Sequence, residues 1–376
     1  MHGYLKTKLY HIVNFTHSDW KPDSRALKVY HTYGSITTKM DDWKRALAED
    51  GYAIIPNVLD REQATALYNG MWGFWEDKGI MRDDLSTWRD IYKWYPNHGM
   101  LFQHWSIGHM QAIWDVRSNP NVKRVFEEIW QTPDLSVSFD GASMGLAPEI
   151  TNRGWHRKDW LHLDQSPLRS GFECVQGWVT PVVVNEGDAS LTVLKGSHLK
   201  HAALAKAFNI TTRADWCKLT QEQVDWYDCE QVTVTCPSGS MVLWDSRTVH
   251  AGRGPIKGRK NPRNRVVAYI SMMPNKLLTT PQRLKKQKAI LEGRMTTHWA
   301  AARVRLFGKN PQTYGKPLPP PTEYTPPHLT PEGAKLAGFD GECPLTIADP
   351  AQRKAAASVW LQKMNKPKKM NKKRKL

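Results

Sequence analysis

The sequence predicts a mainly β domain flanked by helices, on three observations. Between residues 135 and 273, short runs rich in β-branched and aromatic residues alternate with Gly, Pro, Asn and Asp. Upstream, and again from residue 280, apolar residues recur at helical spacing. No internal repeat is present. Many short strands with turn signals between them imply a β-sandwich or barrel.

In chain order, residues 1 to 40 show no sustained periodicity and read as an irregular arm. From Asp41 a helical pattern begins, with Asp41 or Asp42 as cap, Trp43, Ala46 and Leu47 at helical spacing, and Gly51 as stop. Tyr52 to Val58 alternates like a strand, and Asp60 opens a second helix through Tyr68 and Met71. Asn119 to Trp130 places Val122, Val125, Phe126 and Ile129 on one helical face. The strand-like runs follow at Leu135–Met144, Phe172–Asn185, Ala189–Leu194, Gln231–Thr235, Ser240–Trp244 and Val266–Met273, with a helical insert near His198–Trp226. Thr280 to Phe307 reads as helical and basic, and Tyr314–Pro331 as an extended, Pro-rich strap or linker. This gives an arm (1–40), a main β domain with N-terminal helices (41–275), a helical and Pro-rich extension (276–365), and a basic disordered tail (366–376).

Composition narrows the functional classes. The chain has 376 residues, 40% of them hydrophobic, enough for one large domain with extensions or two modest ones. No stretch reaches the ~20 consecutive apolar residues of a membrane-spanning helix. Met1–Tyr10 is polar and does not read as a secretory signal, so an intracellular, cytoplasmic protein is expected. The five cysteines, Cys174, Cys217, Cys229, Cys236 and Cys343, are scattered and never form C-x-x-C, which argues against a disulfide framework or a zinc ribbon.

The net charge of +17 is concentrated in places. Lys366–Leu376 reads as a solvated tail, a nuclear-import signal or a polyanion contact. A second cluster, Arg253, Lys257, Arg259, Lys260 and Arg263, could attract an anionic substrate or merely solvate a loop. Seventeen tryptophans near basic residues could stack nucleobases, though such residues are more often core pieces.

One constellation carries chemistry. His162-Leu-Asp164 on a strand projects an imidazole and a carboxylate to the same face. A further His from a distant strand would complete a facial triad that leaves three metal positions free. H-x-D alone is weak, since roughly one is expected by composition in such a chain. His162 could equally be a core histidine and Asp164 a turn residue. Three features add weight. Ser240–Trp244 is an apolar strand running on to His250, Arg265 opens the next strand, and Gly196-Ser-His198 closes the strand that follows Asn185-Glu-Gly-Asp188. A guanidinium can clamp a carboxylate in a two-pronged fork that Lys cannot reproduce.

These residues resemble the phytanoyl-CoA dioxygenase-like family of Fe(II)/2-oxoglutarate oxygenases, over roughly Asp42 to Met273. The anchors are Glu49-Asp-Gly-Tyr-Ala-Ile-Ile-Pro56, His162-Leu-Asp164-Gln165, Gly177-Trp178 through Gly196-Ser-His198, and His250 followed by Arg265. The resemblance implies a double-stranded β-helix, the cupin-like jelly-roll, as the core of 41–275. It also implies Fe(II) at His162, Asp164 and His250, with O2 and 2-oxoglutarate consumed and succinate and CO2 released. The co-substrate carboxylate would sit at Arg265, with Trp178 beside it. The gap from His250 to Arg265 is longer than the family's usual spacing, which leaves Arg263 as a competitor. Trp178 could equally be a core tryptophan. Halogenating relatives replace the carboxylate with a small residue, so Asp164 favours hydroxylation or oxidative demethylation.

The substrate side is less legible. Gln103, His104, His109 and Gln111 precede the β core where the family often lines its pocket, with core or surface hydrogen bonding as the alternative for each, and Gln103 is taken as a co-substrate contact. Ser138–Ser143, including Asp140, could face the mouth, with Trp155, Arg157 and Trp160 as a rim. A small-molecule substrate is expected. A nucleic-acid or protein oxygenase using the basic surface, or a non-catalytic jelly-roll binding protein, are the alternatives.

Overall fold

The computed structural model describes residues 39–94, 100–156, 160–313, 315–320 and 322–365. The arm up to residue 38, the basic tail and Arg157 therefore lie outside the described residues.

The strands are β1 (Tyr52–Ile55), β2 (Leu101–Phe102), β3 (Leu135–Val137), β4 (Ala142–Gly145), β5 (His162–Leu163), β6 (Val175–Val179) and β7 (Ser190–Leu194). They continue with β8 (Cys217–Lys218), β9 (Gln231–Thr233), β10 (Met241–Asp245), β11 (His250–Arg253), β12 (Arg265–Ile270) and β13 (Met272–Pro274). Two antiparallel sheets result, in the orders β1-β10-β6-β12-β4-β2 and β8-β5-β11-β7-β9, with β13 and β3 as a separate pair. This is the expected jelly-roll core.

The larger sheet is covered on both faces, which explains why its strands read as continuous apolar runs. Trp178, Val242, Trp244 and Val267 point inward and pack with Leu191 and Val193 of the smaller sheet. The alternate residues Val175, Val179, Met241, Leu243, Val266 and Ala268 pack outward with Trp72, Trp75 and Phe126 of the helices. The helix Arg61–Glu76 begins with a reciprocal capping box between Asp60 and Gln63. The helix Lys39–Asp50 stops at Gly51, whose φ is +80°. A Cβ there would lie 2.5 Å from both His198 Nδ1 and Thr248 Oγ1, so only glycine lets helix, turn and barrel meet.

Several boundaries differ from expectation. Leu135–Met144 splits into β3 and β4, and Phe172–Asn185 yields only β6. Further short elements appear at Leu85–Lys93, Gln111–Arg117 and Pro331–Leu336, and a 16-residue helix at Pro350–Asn365. The expected helix over Thr280–Phe307 ends at Leu291. Beyond it, residues 293–307 form an irregular strap that folds on itself at the Thr296–Leu306 bridge. Gly293, with φ of +67°, turns the chain out of the helix.

The strap is held by polar contacts rather than by a ladder. Thr296 N donates to Phe139 O at 2.9 Å, and Phe139 N to Thr296 Oγ1 at 2.8 Å. Lys286, on the preceding helix, is buried and donates to Ser136 Oγ, Val137 O and Ala300 O at 2.5, 2.6 and 2.8 Å. Ser106 Oγ donates to Gly293 O at 2.9 Å.

The tryptophans are mostly core: Trp72, Trp75, Trp88, Trp114, Trp178 and Trp299 are among the largest fully buried side chains. These six therefore offer no stacking surface, whereas Trp216 is 55% exposed. The basic loop is also engaged. Arg259 is buried between Glu149 (2.7 Å) and Asp188 (2.8 Å), and pins the loop rather than serving as a solvated cation. Among the described residues, no helix is long and apolar enough to cross a membrane.

Candidate metal centre

The smaller sheet brings the predicted ligands together by simple register. His162 on β5 stands directly opposite His250 on the neighbouring strand β11. Their rings are 4.4 Å apart between centroids. Asp164 follows two residues after His162, its backbone N donating to Ser246 O at 3.3 Å. His162 Nε2 lies 3.7 Å from Asp164 Oδ1, and His250 Nε2 lies 3.3 Å from Asp164 Oδ2. One potential ligand atom from each residue falls within 4.8 Å of the others, a spacing suited to a single ion.

The surroundings fix which atoms face inward. His162 Nδ1 lies 3.2 Å from Trp160 O and His250 Nδ1 lies 2.9 Å from Thr248 O. A ring nitrogen facing a carbonyl must carry the proton, which leaves each Nε2 lone pair free. Gln176 Nε2 donates to Asp164 Oδ2 at 2.9 Å and orients the carboxylate. Trp160 stacks on His162 at 4.5 Å and donates through Nε1 to Gly252 O at 3.0 Å, so the ring is locked from its other side.

Protonation favours metal binding. Burial, aided by the neighbouring His250, pushes His162 down to about 4. Burial alone would raise Asp164, but the imidazoles of His162, His298 and His250 outweigh it and hold the carboxyl far below the usual range. A neutral imidazole and an ionised carboxylate are the forms that bind metal. Two imidazoles and one carboxylate suit iron(II) with open positions, whereas structural zinc sites are closed and tetrahedral.

The other predicted residues separate cleanly. Arg265 is buried, donates to Ala189 O at 3.1 Å and Ser143 Oγ at 3.3 Å, and lies 5.5 Å from the Trp178 ring. Both acceptors are neutral, and no Asp or Glu pairs with this guanidinium among the described residues. A buried, uncompensated cation is costly, and a bound dicarboxylate fits that deficit. Arg263 is only half-buried, and its guanidinium reaches toward Asp188 at 3.9 Å. Trp178 is fully buried on β6, and its Nε1 has no partner among the described residues. Gln103 bonds to the carboxyl of Asp140 rather than standing free.

Two of the polar residues before the β core take the alternative reading, core or surface hydrogen bonding. His109 is a core histidine, its Nε2 2.9 Å from Arg294 O and its Nδ1 accepting from Trp114 Nε1 at 3.4 Å. Gln111 lies on the surface, where it bonds Asp115 and both backbone groups of His328. Both belong to the packing of the C-terminal extension.

Two neighbours of the centre were not foreseen. Gln176 could have been found, since it precedes Trp178 by two residues and so shares its face of the strand. His298 on the strap acts on the charges of Asp164, His162 and Asp140 alike, and no local pattern marks it.

A jelly-roll carrying two imidazoles and a carboxylate inside its smaller sheet defines the class of iron- and 2-oxoglutarate-dependent oxygenases. The Phytanoyl-CoA dioxygenase (PhyH) family model matches residues 47–258, and the chain belongs to that family. It is thus a 2-oxoglutarate-dependent dioxygenase, with iron as cofactor and 2-oxoglutarate and O2 as co-substrates. Ava biosynthesis cluster protein O of Aspergillus versicolor is 27% identical over 258 residues, covering 63% of this chain and 79% of the relative. Among solved structures, GlcNAc Inducible Gene 2 of Candida albicans matches at TM-score 0.53 and 12% identity, over 85% of this chain and 80% of that one. A hypothetical protein of Escherichia coli matches at TM-score 0.53 and 12% identity, over 84% of each chain. These two likenesses extend the shared fold well beyond the family match.

Proposed function

We propose that this chain hydroxylates a small molecule, with iron held by His162, Asp164 and His250 and the far carboxylate of 2-oxoglutarate held by Arg265. The observation that carries the reading is the convergence of three ligand atoms within 4.8 Å, in the interior that also holds an uncompensated buried arginine. Bound together, the metal and the keto-acid activate O2 for insertion into a C–H bond, a reaction no side chain can perform alone.

The chain's own part is orientation and exclusion of water. The carbonyls of Trp160 and Thr248 hold the two imidazoles in one tautomer, so both Nε2 atoms present lone pairs. Gln176 keeps the Asp164 carboxylate turned to the same point. Arg265 supplies a planar fork for a carboxylate, and Trp178 walls the space beside it. The retained carboxylate at Asp164 favours hydroxylation over halide transfer. A small-molecule substrate is supported by the name of the Aspergillus relative, which places that protein in a biosynthesis cluster. Burial and pairing of Arg259 within the basic loop weigh against a nucleic-acid track there.

The test is succinate formation from 2-oxoglutarate with added iron(II). Wild type is expected to form succinate, and His162→Ala or Asp164→Ala to fall by at least about a hundredfold. Turnover by either variant at the wild-type rate would remove the assigned metal site.

A further inference from the structure

We propose that the C-terminal strap completes the substrate side of the centre, where His298 and Asp140 together recognise a hydroxyl or amine of the primary substrate. The inference rests on the dioxygenase reading above and names the chemistry of what that site accepts.

His298 lies beyond residue 258, where the family match ends, so it belongs to the part of the chain outside the family model. The strap nonetheless carries it to the centre. On its N-terminal side, Thr296 is bonded to Phe139 through both backbone and hydroxyl. On its C-terminal side, Trp299 is buried with Cys174, Met273 and Val304, and Ala300 O accepts from Lys286 and Ser136. The segment is therefore fixed on both flanks of His298.

The ring itself is not satisfied. His298 Nε2 is buried and has no hydrogen-bond partner among the described residues. His198 and His201 also leave one ring nitrogen unpartnered, but each is anchored through the other, to Ala48 O at 3.0 Å and Ser166 O at 3.1 Å. No such anchor holds His298 among the described residues. A buried imidazole nitrogen without a partner costs free energy unless a ligand meets it.

Asp140 supplies the complement. It is buried, its Oδ1 accepts from Gly141 N at 2.7 Å, and it takes a further bond from Gln103. A carboxylate accepts and an imidazole nitrogen can donate or accept, depending on tautomer. The two bonds between Thr296 and Phe139 bring the segment of His298 to that of Asp140, and the pair matches a group that both donates and accepts, such as a hydroxyl, or one that donates strongly, such as an amine. A hydrocarbon at the same place would leave the buried His298 nitrogen unpaired, which is a basis for rejecting it.

The experiment compares wild type with His298→Ala, His298→Gln and Asp140→Asn. The probes are a panel of small alcohols and amines, each with its deoxy or hydrocarbon counterpart. Substrate-stimulated succinate formation is measured for each, and Mn(II) affinity is measured separately by titration. We expect stimulation from alcohols or amines, with counterparts at least about tenfold poorer. His298→Ala and Asp140→Asn should raise KM for a stimulating compound at least about tenfold, and His298→Gln should recover part of that loss. Mn(II) affinity should stay within about twofold in the His298 variants.

The proposal is overturned by equal stimulation from the counterparts, by no stimulation from any alcohol or amine, or by an unchanged KM in His298→Ala. A tenfold or greater loss of Mn(II) affinity in His298→Ala would also overturn it, because His298 would then act on the metal. Failure of the dioxygenase reading has a separate sign, namely undiminished succinate formation by His162→Ala.

Discussion

His250 and His298 reach the same centre by opposite routes. His250 sits on β11, paired strand to strand with His162, so its position follows from register alone. His298 sits on an irregular strap that is held near the centre by contacts with Phe139, Ser136, Lys286 and Ser106, and by the burial of Trp299 against Cys174 and Met273. The sheet wall is a periodic structure with every ligand near its neighbour. The strap is a long-range structure whose placement depends on a few buried polar clamps. His162, Asp164 and His250 lie within the family match, which ends at residue 258, whereas β12 and the strap lie beyond it.

The difference can be tested from the strap inward. Lys286 is the strongest clamp, with three acceptors and a pKa pushed well below its ordinary value by burial, with Arg117 and Arg283 adding to it. Lys286→Met leaves Ser136 Oγ, Val137 O and Ala300 O short of a donor. It should cost about 3 kcal/mol in urea unfolding. A loss below about 0.5 kcal/mol would mean the strap is held by apolar packing instead.

The next effect belongs to the wall. Arg265→Lys should raise KM for 2-oxoglutarate about a hundredfold, because an ammonium cannot supply a planar fork. Arg263→Lys should change it by less than about twofold. The reverse order would move the co-substrate contact to Arg263.

A pH measurement distinguishes the two regions further. Burial, with Arg117 adding to it, pushes His109 down to about 3 from its ordinary 6.5, and this ring meets the strap at Arg294 O. The folded chain therefore keeps His109 neutral where the unfolded chain protonates it. Its contribution to stability is complete above pH 6.5 and is lost as pH falls toward 3. Between pH 6.5 and 5 the loss should be on the order of 2 kcal/mol. His109→Phe should flatten that slope, and an unchanged slope would exclude His109 as its source.

The smallest effect is again in the wall. Gln176→Leu removes the donor to Asp164 Oδ2. Metal affinity should fall about tenfold with little change in unfolding midpoint.

The legibility of the sequence follows the same division. His162 and Asp164 are two residues apart, His250 ends an apolar run, and Arg265 opens the next, so short-range periodicity displays them all. The covered faces of β6, β10 and β12 likewise appear as apolar runs. The strap has no period to read. Its basic, Ala-containing stretch resembles a helix, yet Gly293 ends the helix and the bonds to Phe139 pull the chain across. His109 and Gln111 misled for a related reason. They stand near the core in sequence, but their partners, Arg294 and His328, lie about 200 residues away. Gln103 was legible as a polar residue near the site, but its bond to Asp140 was not.

The most direct test of the centre is anaerobic titration with iron(II), comparing wild type with His250→Ala and His298→Ala. The account predicts about one iron bound per chain in wild type and in His298→Ala, and at least about a hundredfold weaker binding in His250→Ala. Undiminished iron binding by His250→Ala would contradict it.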